Sequence, residues 1–293
     1  MLRVENVSKT IQNHKILNNI SFEIEPGKIV GLVGRNGAGK TTLLKTIVGI
    51  LTPTQGDIRF EQESVYTKPA IKQQIVFVPD SPEALKSYSI REIVQLYKLT
   101  YPNFDQTYFY KLLKKFSLNH DRKIRNYSKG MKVLFSLVLA FSTKAKLIIL
   151  DEPTDGLDVI IKKQILKYIL EEVSEGHTSI LISSHRLEEL EQISDTIMVM
   201  KDGKIESHTD LLDMKKKYKK IQVVFNGNLP TSISSKDNVR QLNKTGRVFT
   251  LLLEGDIDKL SSLIQNEQPV YFEELPLTLE DLFVAKLGGE EFV

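Results

Sequence analysis

Ile29-Val30-Gly31-Leu32-Val33-Gly34-Arg35-Asn36-Gly37-Ala38-Gly39-Lys40-Thr41-Thr42 is the stretch whose reading decides the fold. The apolar run predicts a buried strand, the glycines a tight curl, and the residues from Lys40 onward a helix. In such a curl consecutive backbone N–H groups, from Asn36 through Gly37, Ala38 and Gly39, converge on one point, and the helix adds its positive dipole end. That point suits a phosphate. Lys40 can reach the β and γ phosphates of a nucleotide as a point charge, the Thr41 hydroxyl can hold a magnesium ion, and Thr42 offers a further donor. A Gly-rich turn without a ligand is the plainer alternative.

Lys146-Leu147-Ile148-Ile149-Leu150-Asp151-Glu152-Pro153-Thr154 reads as a buried parallel strand that ends in two adjacent carboxylates. Asp151 would hold magnesium through water. Glu152, on the opposite side of the pleat, could orient a water for in-line attack on the γ-phosphorus. Ile180-Leu181-Ile182-Ser183-Ser184-His185 is a further apolar strand, ending in a histidine placed to touch the γ-phosphate and its attacking water. Taken singly, the acids could be solvated strand caps and His185 a structural hydrogen-bonder; order and spacing relative to the phosphate loop favour the catalytic pairing of Glu152 with His185.

Tyr127-Ser128-Lys129-Gly130-Met131-Lys132, followed by an apolar-periodic stretch from Val133 to Phe141, completes the pattern. With these residues the chain resembles an ABC-type ATPase over roughly residues 1–212. The family signature is written LSGGQ; this sequence keeps Ser128 and Gly130 and has Lys129 and Met131 in place of a glycine and the glutamine. Asp155-Gly156-Leu157-Asp158 looks like the family's D-loop, with Asp158 its fixed acid. The resemblance implies an α/β P-loop core with a helical subdomain at about residues 85–140, ATP and Mg2+ as ligands, and a head-to-tail pair with a second ATPase subunit, either an identical or a different chain. Ser128, Gly130 and Asp158 would then face the nucleotide held by the partner.

Three positions depart from that pattern. Where the family stacks an aromatic ring on adenine this chain has Ile11, a weaker aliphatic contact, with Lys15 and Ile16 nearby. In Val76-Phe77-Val78-Pro79-Asp80-Ser81-Pro82, Asp80 takes the place of a glutamine that senses magnesium; a carboxylate remains a plausible metal ligand and adds negative charge. Met131 cannot supply the polar contacts of the signature glutamine. Either a modified, active ATPase or a binding-only regulatory or degenerate subunit fits these changes, and the presence of Lys40, Asp151, Glu152 and His185 favours activity.

The chain has 293 residues, 41% hydrophobic, enough for a substantial core and two domains. It contains no cysteine, which excludes disulfides and thiolate metal sites, and its histidines at 14, 120, 177, 185 and 208 show no metal-ligand spacing. A net charge of +3 does not argue for nucleic acid, and there is neither a membrane-length apolar run nor a signal segment. Composition fits a cytosolic globular protein, and the resemblance implies a location at the cytoplasmic face of the membrane, held there peripherally through a partner.

Strands are predicted at Leu2 to Val7, Ile16 to Ile24, Ile29 to Val33 and Asp57 to Phe60. From about Ser89 to Asn126 the period is helical, opened by a capping box between Ser89 and Glu92. The segment from Asp80 to Tyr88 is where the resemblance places the docking of a separate ABC permease. After a closing strand at Thr196 to Met200, a helix from about Thr209 runs into the basic run Lys215-Lys216-Lys217-Tyr218-Lys219-Lys220, read as a solvated helix end or, less readily, a contact for anionic lipid. Residues 213–293 read as a small α+β domain, with strands at Ile221 to Phe225, Val248 to Leu253 and Val270 to Glu274 and a helix at Ile257 to Ile264. The ending Thr278-Leu279-Glu280-Asp281-Leu282-Phe283 resembles ATPase subunits of two-component bacterial exporters, most similar to those that export antimicrobial peptides and phenol-soluble modulins.

Overall fold

Strand β3 (Ile29–Val33) is buried at every position, as a strand flanked on both edges and covered on both faces must be. The computed structural model describes residues 1–81, 85, 87–118, 123–176 and 178–282. The chain divides into two units, Met1–His208 and Thr209–Val293.

In the first unit β1 (Leu2–Ile11) and β2 (His14–Ile24) form a hairpin that leads into β3 and α1 (Lys40–Ile47), followed by β4 (Gln55–Phe60), β5 (Glu63–Ser64) and β6 (Ile75–Val78). Helices α2 (Ile90–Thr100), α3 (Gln106–Lys115) and α4 (Lys129–Ser142) are inserted before β7 (Leu147–Asp151). Then come α5 (Val159–Glu175), β8 (Ser179–Ser184), α6 (Leu187–Glu191), β9 (Thr196–Lys201) and β10 (Lys204–Asp210). The main sheet has the order β10-β9-β3-β8-β7-β6, and the smaller antiparallel sheet β2-β1-β4-β5. Strand β3 lies parallel between β8 and β9, and β7 lies parallel to β8 with Asp151 opposite Ser183. That order brings the C-terminal ends of β3, β7 and β8 side by side, where ligands of open parallel sheets bind.

The two sheets share one core. Leu2, Val4, Ile20, Ile58 and Phe60 of the small sheet belong to the same buried cluster as Leu32, Leu147, Ile149 and Leu181 of the large one, with Leu43 and Leu44 of α1 between them. In the helical insertion the predicted capping box is present: Ser89 accepts from the Glu92 N–H, and the Glu92 carboxylate accepts from the Ser89 N–H at 2.8 Å. Of its aromatics Phe109 is fully buried, edge-on to Phe135 and Tyr110, Tyr97, Tyr101, Phe104, Tyr108 and Phe116 are partly buried, and Tyr88 and Tyr110 reach solvent. Residues 82–84 and 86 of the segment expected to dock a permease lie outside the described residues.

The second unit contains α7 (Leu211–Lys217), β11 (Tyr218–Val224), α8 (Thr231–Ser234), β12 (Val239–Thr245), β13 (Val248–Glu254), α9 (Ile257–Asn266) and β14 (Tyr271–Leu275). Spatial order β12-β13-β11-β14 with antiparallel neighbours makes this a split βαβ, ferredoxin-like sheet. Ile221, Val223, Phe249, Leu251 and Leu253 alternate onto one face and pack with Ile233, Leu260 and Ile264. The basic run does not continue α7 as expected. Lys219 and Lys220 lie within β11, where pairing with β13 and β14 takes over the backbone. Lys219 bonds Glu274 at 2.7 Å and Lys220 bonds Asp281 at 2.7 and 2.9 Å, so their charge is met by neighbouring carboxylates. Thr278 and Asp281 cap each other: the Thr278 N–H donates to the Asp281 carboxylate and the Asp281 N–H to the Thr278 hydroxyl. Phe283 lies outside the described residues.

Candidate nucleotide site

At the C-terminal edge of β3 a cavity of about 550 Å³ is lined by Ile16, Arg35, Asn36, Gly37, Gly39, Lys40, Thr41, Thr42, Asp80, Glu152, Asp155 and His185. Most of the predicted site meets here, from three strand ends and one loop. Gly39, the N-cap of α1, has φ 105, a backbone conformation that side chains avoid, and it turns the loop into the helix. Ala38 is buried behind the loop, and its N–H donates to the Arg35 carbonyl at 3.1 Å.

Lys40 is only 6% exposed, and its ammonium donates to the Gly34 carbonyl at 2.6 Å and stands 3.1 Å from Glu152. The other Glu152 oxygen meets His185 Nδ1 at 2.7 Å. Glu152 does not follow the strand alternation expected of it. Strand β7 ends at Asp151, and Glu152 has φ 47, so a left-handed turn rather than the pleat aims its carboxylate at Lys40 and His185. Non-glycine residues rarely adopt this conformation, and it costs about 1 kcal/mol or more. The Glu152 N–H is anchored on Ser183 Oγ at 3.0 Å, whose own hydroxyl donates to Asp151 at 2.8 Å.

Asp151 is 1% exposed, and its Oδ2 has no hydrogen-bond partner. Burial pushes its carboxyl above the ordinary range; hydrogen bonds from Ser183 and Thr41 pull it back in part, and the charges of Asp80 and Glu152 push it further up. An orphaned, buried carboxylate oxygen beside a threonine hydroxyl and a second carboxylate fits a divalent cation. Among the described residues no three carboxylate or imidazole side chains gather to hold a metal alone, so remaining ligands would come from phosphate and water, as magnesium favours. A carboxyl raised on folding contributes stability below its unfolded pKa of about 3.9 and loses it as pH rises through the folded value. Asp151→Asn should therefore stabilise the nucleotide-free protein by about 1–2 kcal/mol near neutral pH. Melting curves in chelator at pH 5 and pH 8 check this, with the gap over the parent widening at the higher pH.

Other predicted residues stand elsewhere. Ile11 closes β1 at 39% exposure and does not line the cavity, whereas Ile16 of β2 does. Ser128 is the N-cap of α4, accepting from the Met131 N–H, and Asp158 is the N-cap of α5, accepting from Ile160 and Ile161 N–H groups at 3.0 Å. Gly130 follows in the first turn of α4, 3.0 Å from Ile161 Cγ2 at the point where a Cβ would sit. None of these three lines the cavity of its own chain. Asp155 and Arg35 also line the cavity; Asp155 belongs to the turn after the paired acids, and nothing local in the sequence shows which way that turn folds.

Comparison with known proteins gives this geometry its family. The ABC transporter family model matches residues 17–155. Over 290 residues the chain is 36% identical to the ABC transporter ATP-binding protein YtrB of Bacillus subtilis (strain 168), covering 99% of both chains. It is 35% identical over 208 residues to the lantibiotic transport ATP-binding protein SrtF of Streptococcus pyogenes, covering 70% of this chain and 89% of that one. Among solved structures, the ATP-binding subunit of an ABC transporter superposes with a TM-score of 0.66 at 27% identity, covering 74% of this chain and 92% of that one. The chain belongs to the ABC transporter family, as an ATP-binding subunit of the ATP-hydrolysing type.

Proposed function

We propose that this chain is the motor subunit of an exporter of peptides or amphipathic antimicrobials, closing head-to-tail with a second ATPase subunit on ATP and driving a separate permease. One observation carries the catalytic part: the Glu152 carboxylate, fixed in a left-handed turn, touches both Lys40 and His185 at the phosphate end of the cavity. Glu152 takes the proton of the attacking water, His185 orients Glu152 and the γ-phosphate, and Lys40 with the amides of the loop and first helical turn, that of Ala38 excepted because it is bonded to Arg35, holds the β and γ phosphates. Thr41, Asp151 and Asp80 would hold magnesium, which when bound supplies positive charge to the phosphate oxygens.

Support for pairing comes from what faces away from the cavity. Ser128, Gly130 and Asp158 stand at the starts of α4 and α5, and Val159 and Ile160 beside them are 66% and 79% exposed. Large apolar side chains left in solvent next to polar caps fit contact with a second copy. We take residues 1–212 as the ATPase domain, with its helical subdomain at about 85–140, and 213–293 as an accessory domain. The permease would dock near Asp80 to Tyr88. No described helix is long and apolar enough to cross a membrane, so attachment at the cytoplasmic face would be peripheral. Peptide cargo is supported by the relative named for lantibiotic transport.

Magnesium-dependent ATP turnover measured against protein concentration tests the reading. The rate per subunit should climb with concentration or with added permease as pairs form. Bound ATP with no turnover at any concentration, with or without permease, would instead mark a binding-only regulatory subunit.

A further inference from the structure

Five polar side chains, Lys40, Glu152, His185, Asp155 and Lys129, run in file from the phosphate loop to the start of α4. Lys40 meets Glu152 at 3.1 Å and Glu152 meets His185 Nδ1 at 2.7 Å. His185 Nε2 stands 4.0 Å from Asp155 Oδ1, and Asp155 Oδ2 stands 3.9 Å from Lys129 Nζ. The inner links are mostly buried, while the side chains of Asp155 and Lys129 are 50% and 55% exposed. Outer links this long and this solvated are weak, which makes them easy to exchange. One carboxylate, itself lining the nucleotide cavity, thus stands between two nitrogen partners, His185 near one oxygen and Lys129 near the other, and is bonded tightly to neither.

The turn that carries Asp155 also seats the helix. Gly156 has φ 64, and the place where its Cβ would be lies 2.6 Å from Lys129 Nζ. A side chain at 156 would be strained and would evict the lysine. In the next residue of α4, Gly130 lets the helix approach Ile161 of α5, whose Cγ2 lies 3.0 Å from the missing Cβ. The first turn of α4 therefore rests on the residue 154–158 turn and the start of α5, and whatever moves Asp155 acts there.

We propose that Asp155 is a positioning residue that exchanges His185 for Lys129 when the cavity fills, so that nucleotide occupancy is passed to the N-terminal turn of α4. The inference rests on the assignment of Glu152 and His185 to the phosphate end of the cavity. An incoming triphosphate competes with Glu152 for Lys40 and gives His185 an anionic partner other than Asp155. Asp155 is then left to Lys129, and the start of α4 is tied more firmly to the turn.

Lysine footprinting tests this. The full chain is acylated with an N-hydroxysuccinimide ester and Lys129 is followed by peptide mass spectrometry, with and without AMP-PNP, at a concentration where sedimentation shows monomers. Acylation of Lys129 should slow about threefold with AMP-PNP. In Asp155→Asn the slowing should vanish. In steady-state turnover Lys129→Ala should lower kcat about threefold with KM for ATP unchanged, and Lys129→Arg should restore it. Binding of AMP-PNP by calorimetry with unchanged Lys129 reactivity overturns the inference alone. So does slowing that persists in Asp155→Asn or appears only in sedimenting dimers. No binding of AMP-PNP overturns the site assignment and this inference with it.

Discussion

Glu152→Gln should lower ATP turnover by about 10²–10⁴-fold while the protein still binds ATP, because an amide cannot take the proton of the attacking water. The structure adds a second, less obvious expectation. Glu152 Oε1 lies 3.1 Å from the Lys40 ammonium, with the two side chains 16% and 6% exposed. Arriving phosphate must displace that carboxylate from the lysine. Glutamine keeps the shape but gives up the charge, so the same substitution that stops hydrolysis should tighten ATP binding, by about three- to tenfold if the lost pair is worth roughly 1 kcal/mol. Calorimetry in chelator measures the affinity and a phosphate-release assay the rate. Size-exclusion chromatography with ATP should then show a trapped pair. A variant that keeps more than a tenth of the parental rate would remove Glu152 from the role of base.

Lys40→Ala should weaken ATP binding about 10–100-fold, since one buried ammonium contributes charge-assisted hydrogen bonds to phosphate that no neighbour replaces. Without nucleotide the same substitution should also cost stability. Removing Lys40 leaves Glu152 facing the cavity with His185 as its remaining close hydrogen-bonding partner, and frees the Gly34 carbonyl that accepts from Lys40 at 2.6 Å. Lower stability without nucleotide should therefore accompany the loss of binding, and the double variant Lys40→Ala with Glu152→Gln should recover part of that stability. Thermal melts of the four proteins in the cycle measure the coupling. Strict additivity would mean that the 3.1 Å pair does not shape the resting site.

How much of this was readable beforehand follows from how local each signal is. The phosphate loop, the apolar strand ending at Asp151 and the strand before His185 each carry their information within about ten consecutive residues, so their elements and their convergence were legible. The capping box at Ser89 is legible for the same reason. Glu152 was assigned the right neighbourhood by the wrong geometry: alternation along β7 was expected to aim it, and a left-handed turn does so. The base-binding end was less legible, because the β1–β2 hairpin register decides whether Ile11 or Ile16 faces the cavity, and that register contains several shifts. Strand β12 has the sequence Val-Arg-Gln-Leu-Asn-Lys-Thr, an edge strand with few buried side chains and no apolar alternation to announce it. Lys219 and Lys220 looked like a helix end because charge runs carry no period; only pairing with β13 and β14 makes them strand residues.

The position of β3 between β8 and β9 has a consequence for how the protein is born. Ser179, the first residue of β8, leaves the ribosome 146 residues after Val33, the last of β3, and β9 follows later still. At about 5–20 residues per second, this fully buried strand waits roughly 7–30 s for the first of its two neighbours and longer for the second. During that interval the phosphate loop has no platform, and an unpaired Ile-Val-Gly-Leu-Val segment is open to aggregation or to capture by a chaperone. Nucleotide cannot rescue the early chain, because the carboxylate and imidazole that complete its site are not yet made.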